Sequence, residues 1–142
     1  MDYQMITTEA ELNDLLDRVG TGHAALDFET TGLRPQESEV RLAQICNDDV
    51  WAVIDFWALE GGAFAPYAEW FADATWIAFN AGFEYQWFDA ADAPEVTVIE
   101  VAHARRALMG GDQMTLAQML KADLKHDMPK DQQVSNWGAE EL

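Results

Sequence analysis

Apolar positions along this chain switch between a period of two and a period near 3.6, and each switch predicts a change of element. Residues 3–6 predict a short strand. Residues 9–19 predict a helix, because Leu12, Leu15, Leu16 and Val19 fall on one face. Thr8 is placed to cap that helix, Glu11 completes a capping box, and Gly20 and Gly22 end it. His23-Ala-Ala-Leu-Asp-Phe-Glu29 reads as extended and closes in Thr30-Thr-Gly-Leu-Arg-Pro35. Residues 40–46 and 50–56 alternate in strand fashion around the turn Asn47-Asp48-Asp49, so three strands form an antiparallel meander.

The pattern then changes. Helical spacing covers residues 64–72, 82–91, 101–109 and 115–124, with short apolar strands at 75–79 and 96–99 and a break at Gly110-Gly111-Asp112. Residues 125–142 are polar and irregular, and no internal repeat or low-complexity linker is present. Three antiparallel strands followed by two parallel ones predict an α/β protein, a mixed sheet covered by helices.

A chain of 142 residues, 49% of them hydrophobic, has room for one domain with a core, and we read residues 1–142 as that single domain. The N-terminus has neither a basic region nor a continuous apolar run, and no window approaches the roughly 18 uncharged apolar residues of a membrane helix. The single cysteine, Cys46, fits a reducing compartment, so a cytoplasmic protein without membrane contact is expected. Charge alters the picture more. The net charge of −18 is the wrong sign for holding nucleic acid by neutralising phosphates. Three readings follow: a solubilising surface, a polyanionic substrate met locally by metal ions or a few placed cations, or a mimic of nucleic acid that binds a basic partner.

Candidate chemistry centres on Asp27 and Glu29. Alternation along a strand projects both from one face while Phe28 points to the other. Adjacent carboxylates repel unless a cation lies between them, and oxygen-only anionic sites suit Mg²⁺ or Mn²⁺. The plain alternative is a strand end whose acids face water.

These acids do not stand alone. Asp27-Phe-Glu-Thr-Thr-Gly-Leu33 resembles the first motif of the DEDD 3′–5′ exonuclease superfamily, which includes ribonuclease D and the proofreading domains of DNA polymerases. Phe79-Asn80-Ala-Gly-Phe83-Glu84 resembles its second motif, and Val98-Ile-Glu-Val-Ala-His-Ala-Arg-Arg-Ala-Leu108 the strand-into-helix that opens on an acid. Thr115-Leu-Ala-Gln-Met-Leu120 and Lys130-Asp-Gln-Gln-Val-Ser-Asn-Trp137 are similar to later segments of ribonuclease D-like and polymerase I-like members. The resemblance implies a ribonuclease H-like fold and a phosphodiesterase using two Mg²⁺ or Mn²⁺ ions. It implies that Asp27 bridges both metals, Glu29 binds one and touches the terminal 3′-hydroxyl, and Glu84 reaches the other through water. Thr30, Leu33, Asn80, Phe83 and Lys130 are the implied substrate contacts, with Leu33 as a wedge against the terminal base. Leu33 and Phe83 also read as core residues, and Asn80 as a cap for the helix after it.

The sequence departs from the family pattern, most seriously at its end. Glu84 stands where Asp is usual, Phe79 where His commonly precedes the Asn, and Glu100 where an Asp is expected as a structural cap. In the family a last helix carries Tyr-x-x-x-Asp or His-x-x-x-x-Asp, and no such pairing follows Ser135. The open readings are a truncated exonuclease, a helix supplied by a second chain or homodimer, and a three-carboxylate remnant. His23, His103, His126 and Asp127 lack metal-ligand spacing, and the six tryptophans read as packing residues. The expected activity is 3′–5′ exonucleolytic release of nucleoside monophosphates from single-stranded or frayed 3′ ends, DNA favoured. The alternative is a catalytically incomplete module for binding or interaction, or half of a split enzyme.

Overall fold

Among the described residues six strands form one sheet: β1 (Gln4–Ile6), β2 (His23–Thr30), β3 (Val40–Cys46), β4 (Trp51–Asp55), β5 (Thr75–Ala78) and β6 (Thr97–Glu100). The computed structural model that shows them describes residues 2–129 and 137–140. The order is β1-β4-β3-β2-β5-β6. Pairs β2–β3 and β3–β4 are antiparallel, as the meander predicts, while β2–β5 and β5–β6 are parallel. β1 adds a parallel edge strand beside β4. The residue pattern predicts that strand but not its neighbour, since three residues carry no register signal of their own.

Among the described residues four α-helices accompany the sheet: α1 (Glu9–Val19), α2 (Ala81–Ala90), α3 (Val101–Met109) and α4 (Leu116–Leu124). α1 starts at the expected capping box, with Thr8 Oγ1 accepting from the Glu11 amide and Glu11 Oε2 from the Thr8 amide. Residues 64–72 depart from expectation. They form a 3₁₀ helix, Ala65–Phe71, with Pro66 in its first turn. Its tighter repeat turns Tyr67, Ala68 and Phe71 into the core. The Tyr67 hydroxyl there lies 2.6 Å from Glu9 Oε1 and 2.7 Å from the Glu60 carbonyl.

The core lies on one face of the sheet. Ala24, Leu26 and Phe28 of β2 join Ala43, Ile45 and Ile54 against Leu12 and Leu15 of α1, Phe71, and Trp87 and Phe88 of α2. Phe28, Phe64, Phe71 and Phe88 make its centre, with Phe28 5.1 Å from Phe64 and 5.4 Å from Phe88 between ring centroids. Full burial of each such ring is worth roughly 1.5–3 kcal/mol. That cluster anchors β2 and α2, the two elements that carry the acids. On the other face Ala25, Asp27, Gln44, Cys46 and Trp51 are exposed. No helix among the described residues is long and apolar enough to cross a membrane.

Candidate functional site

Asp27 and Glu29 stand on the outer face of β2 near its C-terminal end, as alternation predicts. The pairing of β2 with β5 ends at Ala25↔Ile77, and beyond it the chain leaves β5 and enters α2. The first turn of α2 therefore fills the gap beside residues 27–29 of β2. Glu84 sits in that turn, 2% exposed.

The electrostatics tie the three acids together. Burial raises the Asp27 carboxyl, although its side chain still reaches solvent. Glu29 is half-buried, and burial first, then repulsion from Asp27, pushes its carboxyl up to about 7, with a bond from Gln44 pulling the other way. Burial also pushes Glu84 up to about 7, with Asp27 and Glu100 adding repulsion and the backbone amides of Glu84 and Phe28 opposing it. Glu84 Oε2 is buried without a hydrogen-bond partner among the described residues. An unpaired buried carboxylate oxygen is costly as it stands.

All the donors are carboxylate oxygens, the chemistry a hard divalent cation takes, and the unpartnered Oε2 is free to serve as one of them. Among the described residues no group of three or more His, Cys, Asp or Glu is gathered closely enough to hold a metal ion. The three acids thus match such an ion in donor chemistry, while their carboxylates stand farther apart than ligands closed around one.

The other expected residues fall around this edge. Thr30 donates from Oγ1 to the Gly32 carbonyl at 2.6 Å, and Thr31 Oγ1 accepts from the Glu39 amide at 2.9 Å. Gly32 packs closely on the loop: a Cβ there would come within 2.2 Å of Ser38 Oγ, and that side chain would have to turn away. This stapled loop displays Leu33, 78% exposed, which removes the core reading for that residue. Gln86 Nε2 donates to the Leu33 carbonyl at 3.4 Å and joins the loop to α2. Phe83 packs partly buried against the core, edge-on to Trp87 at 6.1 Å. Asn80 precedes α2 in a left-handed conformation, φ 63 and ψ 48, and makes no capping bond with its side chain. Lys130 lies outside the described residues.

Two groups escape a reading of the sequence for site residues. Gln44 lies directly across from Asp27 in the β2–β3 register and bonds Glu29. Its signal is a lone amide among apolar positions of a strand, which becomes informative only once the register is known. Arg41, one of the scattered cations, is buried against Asp55 and Trp57. Of the tryptophans, Trp76 and Trp87 are core, whereas Trp51 and Trp70 are exposed. Clefts of about 330 and 450 Å³ lie elsewhere, lined by none of the three acids.

With this geometry, the family model described as 3′–5′ exonuclease matches residues 3–142. No curated protein matches the chain in sequence. Among solved structures, Escherichia coli RNase D, an exoribonuclease, is 22% identical with a TM-score of 0.79 over 100% of this chain and 38% of its own length. The Nibbler EXO domain of Aedes aegypti is 16% identical with a TM-score of 0.76, covering 99% of this chain and 76% of that one. NrnC of Brucella melitensis, solved with pGG, is 21% identical with a TM-score of 0.72, covering 99% and 70%. The same protein with bound Mg²⁺ gives a TM-score of 0.72 at 21% identity, covering 100% of this chain and 69% of that one. The chain shares the ribonuclease H-like fold of these exonucleases and spans little more than a third of the RNase D chain.

Proposed function

The chain belongs to the 3′–5′ exonuclease family, and on that premise we propose that it is a metal-dependent exonuclease domain acting on single-stranded or frayed 3′ ends. Glu84 is the observation that carries the reading. A carboxylate 2% exposed, with Oε2 unpaired and Asp27 raising it further, is a poor structural element and a good half of a cation site. Asp27, Glu29 and Glu84 would hold Mg²⁺ or Mn²⁺, and NrnC, which shares the fold, has a structure with bound Mg²⁺. Two such ions supply activation of the attacking water and charge neutralisation at the leaving oxygen.

The remaining work falls to the chain. Leu33, Asn80 and Phe83 would seat the terminal nucleotide beside the acids, with Thr30 holding the Leu33 loop in place. Water oxygen bonds to the last phosphorus, the P–O3′ bond breaks, and the proton ends on the leaving oxygen. The products are a nucleoside 5′-monophosphate and a strand one residue shorter with a free 3′-hydroxyl. The acidic surface (net −18) makes local cations the condition for substrate approach. The leaning toward DNA draws nothing from these relatives, of which RNase D is an exoribonuclease, so DNA and RNA belong in the same assay.

Matched 5′-labelled single-stranded DNA and RNA, with EDTA or with Mn²⁺, provide the test. Stepwise shortening from the 3′ end that needs Mn²⁺ and disappears in Asp27→Ala is the expected result. A wild-type protein inert on both strands at high Mn²⁺, yet binding a basic protein tightly, would leave the interaction module in its place.

A further inference from the structure

α2 begins at an asparagine, a residue type that ordinarily caps a helix with its own side chain. Asn80 does not. Its backbone is left-handed, and its side chain makes no hydrogen bond to a described residue. The first amides of α2 are satisfied from another strand: Glu100, the last residue of β6, accepts from the Asn80 amide through Oε1 at 3.1 Å and from the Ala81 amide through Oε2 at 2.8 Å. Its Oε1 also accepts from the Ala102 amide at 3.1 Å, capping α3. One carboxylate therefore joins the start of two helices to the end of a strand. The parallel register places it for this, with Glu100 directly beside Ala78, two residues before Asn80.

We propose that Glu100 is a positioning residue of the site: by capping α2 in place of Asn80, it leaves the Asn80 side chain available to substrate and fixes Glu84 opposite Asp27. The Asn80 part rests on the exonuclease reading above. Without Glu100 the Asn80 and Ala81 amides lose their acceptor, and the end of α2 is left to the cap an asparagine ordinarily supplies, its own side chain turned back to the amides one turn in. To reach its own helix, Asn80 must leave the left-handed region for the extended backbone of an ordinary N-cap. That change rotates the first turn of α2, and Glu84 with it. Length matters as well, because glutamate reaches across to α2 and still turns back to its own helix.

Amide hydrogen exchange by NMR, Mn²⁺ titration and steady-state cleavage of a single-stranded oligonucleotide, on wild type, Glu100→Ala, Glu100→Asp, Asn80→Ala and the Glu100→Ala/Asn80→Ala double variant, test this. Glu100→Ala should speed exchange at Asn80 and Ala81 and weaken Mn²⁺ binding by roughly 10–100-fold, the range for losing a group that orients a metal-binding side chain. It should raise KM as Asn80→Ala does, and the double variant should raise KM no further. Glu100→Asp should restore part of the exchange protection and of the Mn²⁺ affinity. Unchanged exchange at both amides, unchanged Mn²⁺ affinity, or KM effects that multiply in the double variant would each overturn the proposal. A wild-type protein that cleaves nothing removes the exonuclease reading alone, because exchange and Mn²⁺ affinity still decide whether Glu100 caps α2 and holds Glu84.

Discussion

Gln44 donates from Nε2 to Glu29 Oε1 at 3.0 Å, across the antiparallel pairing of β3 with β2. The same residue lies directly opposite Asp27, so one neutral amide stands beside both acids of the strand. It occupies one oxygen of Glu29, opposes the rise that burial and Asp27 impose on that carboxyl, and adds no charge. Gln44→Leu should therefore lower Mn²⁺ affinity by roughly 10–100-fold, the usual effect of losing a group that orients a ligand. Gln44→Lys should abolish metal binding, since an ammonium would pair with the carboxylates itself. Isothermal titration with Mn²⁺ decides, and two variants with wild-type affinity would remove Gln44 from the site.

The raised carboxyls give stability a definite pH dependence without metal. Glu29 and Glu84 bind their protons up to about 7 in the folded protein, against 4.5 as the ordinary value. Between those values the folded state holds more protons than the unfolded one, so stability falls as pH rises. The contribution is complete below about pH 4.5 and is lost as pH passes through about 7. In EDTA, Tm should drop from pH 5 to pH 8; Glu84→Gln should flatten the slope, and Mn²⁺ should restore more Tm at pH 8 than at pH 5. An equally steep slope in Glu84→Gln would place its origin elsewhere, in the general repulsion of a chain with net charge −18.

What the sequence reveals and conceals divides along one line, local against long-range. The capping box at Thr8 and Glu11 and the shared face of Asp27 and Glu29 depend only on residues a few positions apart, and both are legible. The cap of α2 is not. An Asn before a helix reads as the cap, whereas the acceptor is Glu100, twenty residues further along the chain. Arg41 reads as one more cation until β3 and β4 pair and bring Asp55 and Trp57 to it. The same holds for residues 64–72: their helical spacing does not reveal the 3₁₀ repeat, and the Phe64–Phe71 ring contact is seen only in the fold.

Arg41 and Asp55 offer a test of that hidden pairing. Arg41 is 4% exposed; its guanidinium bonds Asp55 Oδ2 through Nη2 at 3.1 Å and lies 4.1 Å from the centroid of the Trp57 ring. Its Nε has no hydrogen-bond partner among the described residues. Asp55→Ala leaves a buried, uncompensated charge and should cost about 3–5 kcal/mol. Arg41→Met removes the charge together with the unsatisfied Nε and should cost less. Urea unfolding gives both values, and an Asp55→Ala midpoint close to wild type would show that the pair contributes little.

Leu33 separates folding from recognition. It is 78% exposed, and the loop is held by Thr30, Thr31 and Gln86, not by the leucine side chain. Leu33→Ala should leave stability within about 0.5 kcal/mol of wild type, as for surface positions generally. If the side chain packs against the terminal base, burial of a leucine on binding is worth about 1.5 kcal/mol or more, so KM for a single-stranded end should rise about 10-fold. The effect should be larger on a frayed duplex, where an apolar wedge must also keep the last base apart from its partner. A thermal melt and a comparison of the two substrates measure both quantities. Wild-type KM on each would take Leu33 out of the substrate path, and a large fall in Tm would return it to the core.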